Sequence, residues 1–175
     1  MSDIVLRKLS KADVPIISYL AKQTFYNAFS GTCTGMDMQH FLDFYYNEEQ
    51  ILKEVENTAM HYYFAEINNN AIGYMLFAEN NPGFEETNHK KAIELKRFYL
   101  LDEFHGKAIA QTMMDFFLEY AKKSNYDIAF LGVWEYNYKA QNFYKKYDFG
   151  FTNYRHDFPV GETAQTDIYL LKYLK

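Results

Sequence analysis

Between a stretch that reads as strand and one that reads as helix, the run His105-Gly106-Lys107-Ala108-Ile109-Ala110 consists of small residues whose backbone N–H groups can converge on one point. Such a place suits a phosphate. The unpaired amides of a helix's first turn, with roughly half a positive charge from the aligned peptide dipoles, hold an anion without a dedicated side chain. The same run also fits a tight turn packed against a sheet, with no ligand. Further on, Asn137 precedes a helical stretch with Ala140, Phe143 and Tyr144, followed by Lys145, Lys146, Tyr147 and Phe149. Asn137 either caps that helix or turns its amide toward an extended ligand wedged between two strands. Tyr144 is either a core ring with its hydroxyl satisfied at an edge or a phenol placed for catalysis.

The elements that must position these groups follow from periodicity. Ile4 to Leu6 is a short β-rich run, and Ser10 with Asp13 forms a capping-box pair ahead of Val14, Ile17, Leu20, Ala21 and Thr24, which predicts strand then helix. Thr34 with Asp37 and Asn47 with Gln50 open two more short helices. His61 to Ile67 and Ala71 to Ala78 read as a hairpin turning at Asn68, Asn69 and Asn70, and Asn80 to Lys91 as a long exposed connection punctuated by Asn81, Pro82 and Gly83. Ile93 to Leu101 is a strand, Gly106 begins a helix, Asp127 to Trp134 is a buried strand and Tyr138 to Tyr147 a helix. Phe149 to Phe158 and Thr166 to Leu174 close the chain as a strand pair. This order predicts one α/β domain over residues 1–175 with a mixed sheet, parallel where a helix connects strands and antiparallel at the hairpins.

Composition narrows the function classes. The 18 basic and 23 acidic residues give a net charge of −5, which disfavours nucleic acid, and the aromatic residues lie on no basic stripe. One cysteine, Cys33, makes no internal disulfide, and the histidines are scattered without zinc spacing, so neither metal nor redox chemistry is expected. The longest apolar run, Ile128 to Trp134, is far short of the roughly 20 residues of a membrane helix, and no signal-peptide core is evident, so a cytoplasmic location is expected.

Taken together, the two strand-to-helix units resemble the GCN5-related N-acetyltransferase (GNAT) family. The family's pyrophosphate loop, Arg/Gln-x-x-Gly-x-Gly/Ala, is met by His105, Ala108 and Ala110, of which Ala110 matches outright. The downstream pattern of Asn, Ala, aromatic-Tyr and a Gly-Phe-like turn is met by Asn137, Ala140, Phe143, Tyr144 and Asp148-Phe149. Glu94 to Tyr99, Leu131 to Glu135 and Gln165-Thr166-Asp167 resemble in particular the PaiA-type spermidine/spermine acetyltransferases.

The resemblance implies a mostly antiparallel seven-stranded sheet with a central, splayed parallel pair flanked by helices. It implies acetyl transfer from acetyl-coenzyme A to a primary amine, with a polyamine such as spermidine or spermine as acceptor. Phe98, Tyr99, Leu100, His105, Gly106, Lys107, Ala108, Ile109, Ala110, Asn137 and Lys145 are then the residues expected at the coenzyme, the strand at Phe98 to Leu100 lending a backbone N–H to the acetyl oxygen. Because an alkylammonium has a pKa of about 10.4, a base is useful, and Glu94 is placed to take the proton directly or through water. Its plainer reading is a strand charge paired with Lys96 or Arg97. Tyr144 is the implied general acid for the departing thiolate. Glu85, Glu86, Asp157 and Glu162 are candidates for steering a polycation, or else solvated loop charges. A homodimer is compatible with all of this. Two alternatives stand beside it: a non-catalytic acyl-coenzyme A sensor, and transfer to a peptide or another small amine. An Ala at position 108 is tolerable with helical backbone and costly if φ is positive.

Overall fold

Strand β1 (Val5–Lys8) leads through a single 3-10 turn into helix α1 (Val14–Phe29). Ser10 donates to the Asp13 carboxylate from its N–H at 2.7 Å and its hydroxyl at 2.8 Å, and Arg7 pairs with the same carboxylate and with Glu66 on the neighbouring strand. Helix α2 (Gly35–Tyr45) starts where the Thr34 hydroxyl accepts from the Asp37 N–H at 3.1 Å, and α3 (Glu48–Glu56) where Asn47 Oδ1 accepts from the Gln50 N–H at 2.8 Å. Each cap satisfies an amide that the helix itself leaves without a partner. The computed structural model describes residues 4–80 and 83–175; Asn81 and Pro82 of the expected turn lie outside the described residues, as do the first three residues of the amino-terminal pattern.

The remaining strands are β2 (Met60–Ile67), β3 (Asn70–Glu79), β4 (Ala92–Leu100), β5 (Ile128–Trp134), β6 (Gly150–Asp157) and β7 (Thr166–Tyr173), with α4 (Ile109–Lys123) between β4 and β5 and α5 (Tyr138–Lys145) between β5 and β6. They form one seven-stranded sheet in the order β1-β2-β3-β4-β5-β7-β6. Every neighbouring pair is antiparallel except β4 and β5. The expected mixed sheet with a central parallel pair is therefore present. Asn68 and Asn69 adopt φ of 52° and 62° at the β2–β3 turn, the left-handed geometry that Asn accepts more readily than most residues.

The sheet is covered on both faces. Helices α4 and α5 pack their apolar stripes, including Met113, Phe117 and Tyr144, on one face, and α1 to α3 bury Ile17, Phe25, Phe41 and Ile51 against the other. At its centre the sheet comes apart. Strand β4 pairs with β5 only at Ala92–Ile128, Ile93–Ala129 and Glu94–Phe130. Just beyond, the register with β3 shifts so that Phe77 faces Leu95 and Leu76 faces Arg97, leaving Lys96 as an extra residue. A bulge of this kind bends its strand and increases the local twist. Downstream of it β4 and β5 diverge, and the peptide groups of Phe98 to Leu100 on the β5 side have no strand partner there.

Candidate active site

The divergence opens a cleft of about 1180 Å³ through the middle of the molecule, lined by β4, β5 and the starts of α4 and α5. Helix α4 begins at Ile109, three residues later than Gly106, where the sequence placed it. Gly106 has φ 76° and Ala108 φ 62°, so the chain from His105 to Ala108 is a loop with two left-handed residues. The first backbone hydrogen bond of α4 runs from the Thr112 N–H to the Ala108 carbonyl at 3.2 Å. The amides of Ile109, Ala110 and Gln111 thus precede the helix's own ladder, and all three residues line the cleft. This donor set fits a diphosphate.

The other residues expected at the coenzyme divide into those on the cleft and those turned from it. Phe98, Tyr99, Leu100, His105, Gly106, Ala108, Ile109, Ala110 and Asn137 line it; Lys107 and Lys145 do not. Lys107 lies over the ring of Phe104 at 5.0 Å, and Lys145 over that of Phe151 at 4.7 Å. The cations that do line the cleft from α5 and just beyond it are Lys139 and Lys146. His105 Nε2 donates to the Leu100 carbonyl at 3.0 Å, leaving Nδ1 to accept from Lys139 Nζ at 3.3 Å. The histidine therefore ties the loop to β4 and draws Lys139 beside it. Asn137 caps α5, with Oδ1 accepting the Ala140 N–H at 3.1 Å, and the residue also lines the cleft. Gln141 Nε2 donates to the Glu135 carbonyl at 2.8 Å, clamping α5 to the end of β5.

Tyr144 is 8% exposed and packs against Phe98, Phe143 and Phe149. The residue forms part of the cleft wall. Burial pushes its phenol above the ordinary tyrosine value, so it keeps its proton at every physiological pH. It is a core ring that also lines the cleft.

On the opposite face Glu94 is buried, accepting from Asn80 Nδ2 at 2.7 Å and lying 3.5 Å from Lys96 Nζ. The sequence offered Lys96 or Arg97 as its partner. Arg97 instead belongs to Glu54, at 2.6 and 3.0 Å, and reaches the Tyr62 hydroxyl. The loop carboxylates Glu85, Glu86, Asp157 and Glu162 are absent from the cleft lining. The carboxylates that line the cleft are Glu94, Glu54 (held by Arg97), Asp102 and Asp167, the last on β7 among Trp134, His156, Phe158 and Tyr169. Desolvation, with a smaller contribution from the negative charge of Glu94 and against the opposing influence of His156, pushes the Asp167 carboxyl up to about 6. Gly132 makes room for it: a Cβ there would lie 3.3 Å from Asp167 Oδ2 and 3.2 Å from the Tyr169 ring. The sequence showed Asp167 only as one of three residues in a resembling stretch, because its exposure to the cleft depends on the β5–β7 register.

Among the described residues no group of three or more His, Cys, Asp or Glu is arranged to hold a metal ion, and no helix is long and apolar enough to cross a membrane.

Comparison with known proteins adds three observations. Residues 23–151 match the sequence profile of the acetyltransferase (GNAT) family. An uncharacterised N-acetyltransferase from the pepI 3′ region of Lactobacillus delbrueckii subsp. lactis is 27% identical over 175 residues, covering 99% of both chains, and one from Archaeoglobus fulgidus is 36% identical over 84 residues, 48% of this chain and 56% of its own. Among solved structures, the PaiA N-acetyltransferase from Thermoplasma acidophilum in complex with coenzyme A superimposes with a TM-score of 0.76 at 22% identity, covering 98% of this chain and 99% of that one. A variant of the spermidine N-acetyltransferase SpeG from Vibrio cholerae does so with a TM-score of 0.69 at 19% identity, covering 98% and 94%.

Proposed function

The chain belongs to the acetyltransferase (GNAT) family and is an acetyl-coenzyme A-dependent N-acetyltransferase; from that premise we propose that its acceptor is a primary amine of a polyamine such as spermidine or spermine. The supporting observation is the make-up of the cleft opposite Tyr144, where Glu94 and Asp167 stand among Phe29, Trp134, Phe158 and Tyr169. Aromatic faces cover methylene runs and attract cations, while carboxylates draw ammonium groups, which is the pattern a flexible polycation presents. The name of the spermidine N-acetyltransferase SpeG, which shares the fold, agrees with this acceptor.

In this reading the amides of Ile109, Ala110 and Gln111 hold the coenzyme's diphosphate, with Lys139 beside them as a point charge. Acetyl-coenzyme A supplies the activated acyl group. The unpaired face of β4 at Phe98 to Leu100 donates a backbone N–H toward the acetyl oxygen, where negative charge grows as the amine attacks. The amine must first lose a proton, and Glu94 is the carboxylate on β4 that receives it, directly or through water. Tyr144 protonates the departing sulfur; its raised pKa keeps the phenol charged with its proton until the thiolate appears.

The test is release of coenzyme thiol from acetyl-coenzyme A in the presence of spermidine, spermine, a peptide amine or an aminoglycoside. Highest kcat/KM on the polyamines supports the proposal. A preference for the peptide amine would move the acceptor to another class, and no release with any of the four would remove the reading.

A further inference from the structure

We propose that Asp167 is a further catalytic residue: it and Glu94 act as one pair of carboxylates that receives the amine's proton, and Asp167 is the member on which that proton comes to rest. The inference rests on the acetyl-transfer reading above and deepens its base. In the sheet register Glu94 faces Phe130 across β4–β5, while Gly132 faces Tyr169 and Trp134 faces Asp167 across β5–β7. Paired residues and residues two apart share a face of a sheet, so Glu94 and Asp167 project to the same side of β5, on either side of Gly132. The missing side chain at Gly132 is what leaves the space between them open.

The two carboxylates are held differently. Glu94 is already engaged by Asn80 and lies near Lys96, so part of its charge is answered within the protein. Asp167 accepts no hydrogen bond and forms no ion pair among the described residues, although it is half-buried in the cleft wall. The other titratable groups facing it are His156 on β6, Tyr169 on its own strand and Tyr99 on β4. A carboxyl titrating at about 6 is ionised at neutral pH and is a stronger base than an unperturbed one, the condition under which a general base is most effective.

The protons then balance. Asp167 takes one proton from the ammonium, and the freed electron pair on nitrogen forms the C–N bond as the C–S bond breaks. Tyr144 gives its phenolic proton to the sulfur, and the second proton of the attacking nitrogen returns to the Tyr144 oxygen. Asp167 then sheds its proton to water, so each turnover converts an ammonium and a thioester to an amide, a thiol and one proton.

The experiment is the pH profile of kcat/KM with acetyl-coenzyme A and the best amine from the release assay, for the wild type, Asp167→Asn, Glu94→Gln and Gly132→Ala. We expect an acidic limb near pH 6 in the wild type that Asp167→Asn abolishes, with kcat/KM at pH 7 lowered about 100-fold and coenzyme A affinity by calorimetry unchanged. Glu94→Gln will shift the limb to lower pH by removing a like charge. Gly132→Ala, whose methyl group presses on Asp167 and Tyr169, will raise KM for the amine with coenzyme A affinity retained. An Asp167→Asn profile superimposable on an active wild type overturns the inference and leaves acetyl transfer standing. A wild type inactive on every amine overturns that transfer reading and, with it, the inference.

Discussion

Thr112 directs both its N–H, at 3.2 Å, and its hydroxyl, at 3.3 Å, to the carbonyl of Ala108, fixing a residue with φ 62° at the head of α4. An L-residue with a Cβ is strained in this conformation by about 1–2 kcal/mol, and glycine is not. Ala108→Gly is therefore expected to stabilise the fold by about 1 kcal/mol after the greater freedom of glycine in the unfolded chain is subtracted, a rise of roughly 2–4 °C in Tm. Removing the methyl group also clears the approach to the first-turn amides, so coenzyme A affinity will increase severalfold by calorimetry. Equal Tm and equal affinity would mean that the loop relaxes around the methyl group.

Tyr144→Phe keeps the ring that packs on Phe98, Phe143 and Phe149 and deletes only the hydroxyl facing the cleft. The expected result is a fall in kcat of about 10- to 1000-fold with Tm and coenzyme A affinity close to wild type. Steady-state rates alongside calorimetry check it. A kcat that does not change assigns Tyr144 to packing alone.

The half-buried Asp167 carboxyl carries a stability cost with a definite pH window. Its pKa is 3.8 in an unfolded chain and about 6 in the fold, so between these values the native state binds more protons than the unfolded one. The contribution of the protonated group is complete below pH 3.8 and is lost as pH rises through about 6. Asp167→Asn escapes this loss. Relative to wild type it is expected to be more stable by about 2–3 kcal/mol at pH 7 and no different near pH 4. Urea unfolding at the two pH values measures both, and a difference independent of pH would mean that Asp167 is solvated.

Arg97 holds Glu54 through two nitrogens and also contacts Tyr62 and the face of Tyr46, with side-chain exposures of only 12% and 10% for the ion pair. Losing one member strands the other charge in a largely dry site. Glu54→Gln is expected to cost about 3 kcal/mol, roughly 6–12 °C in Tm, far more than removal of the exposed Lys53–Glu49 pair on the same helix. Thermal unfolding of both variants makes the comparison, and equal losses would contradict it.

Local chemistry made much of this architecture readable. Thr34 and Asn47 mark helix starts because a short polar side chain answers a free amide, Ser10 does so because its own N–H is answered by the Asp13 carboxylate, and Asn68 with Asn69 marks a hairpin because Asn tolerates positive φ. The start of α4 was displaced to Gly106 because an alanine in the left-handed region leaves no trace in composition. The carboxylates were harder for a non-local reason. Glu85, Glu86, Asp157 and Glu162 are carboxylates like Asp167, and the pairing of β5 with β7 and the gap at Gly132 are what bring Asp167 to the cleft. Lys145 and Lys139 differ similarly. Each is a lysine of one short helix, and helical phase sends one to Phe151 and the other to His105.

With only three residue pairs joining β4 to β5, the sheet is two leaves stitched along a short seam. A molecule lodged between the leaves touches both and acts as a brace across the opening. Resistance to heat is thereby tied to ligand supply: at a concentration one hundred times its Kd, a bound molecule adds about 2.7 kcal/mol. Amide exchange along the unstitched margins of both leaves will slow together when it binds.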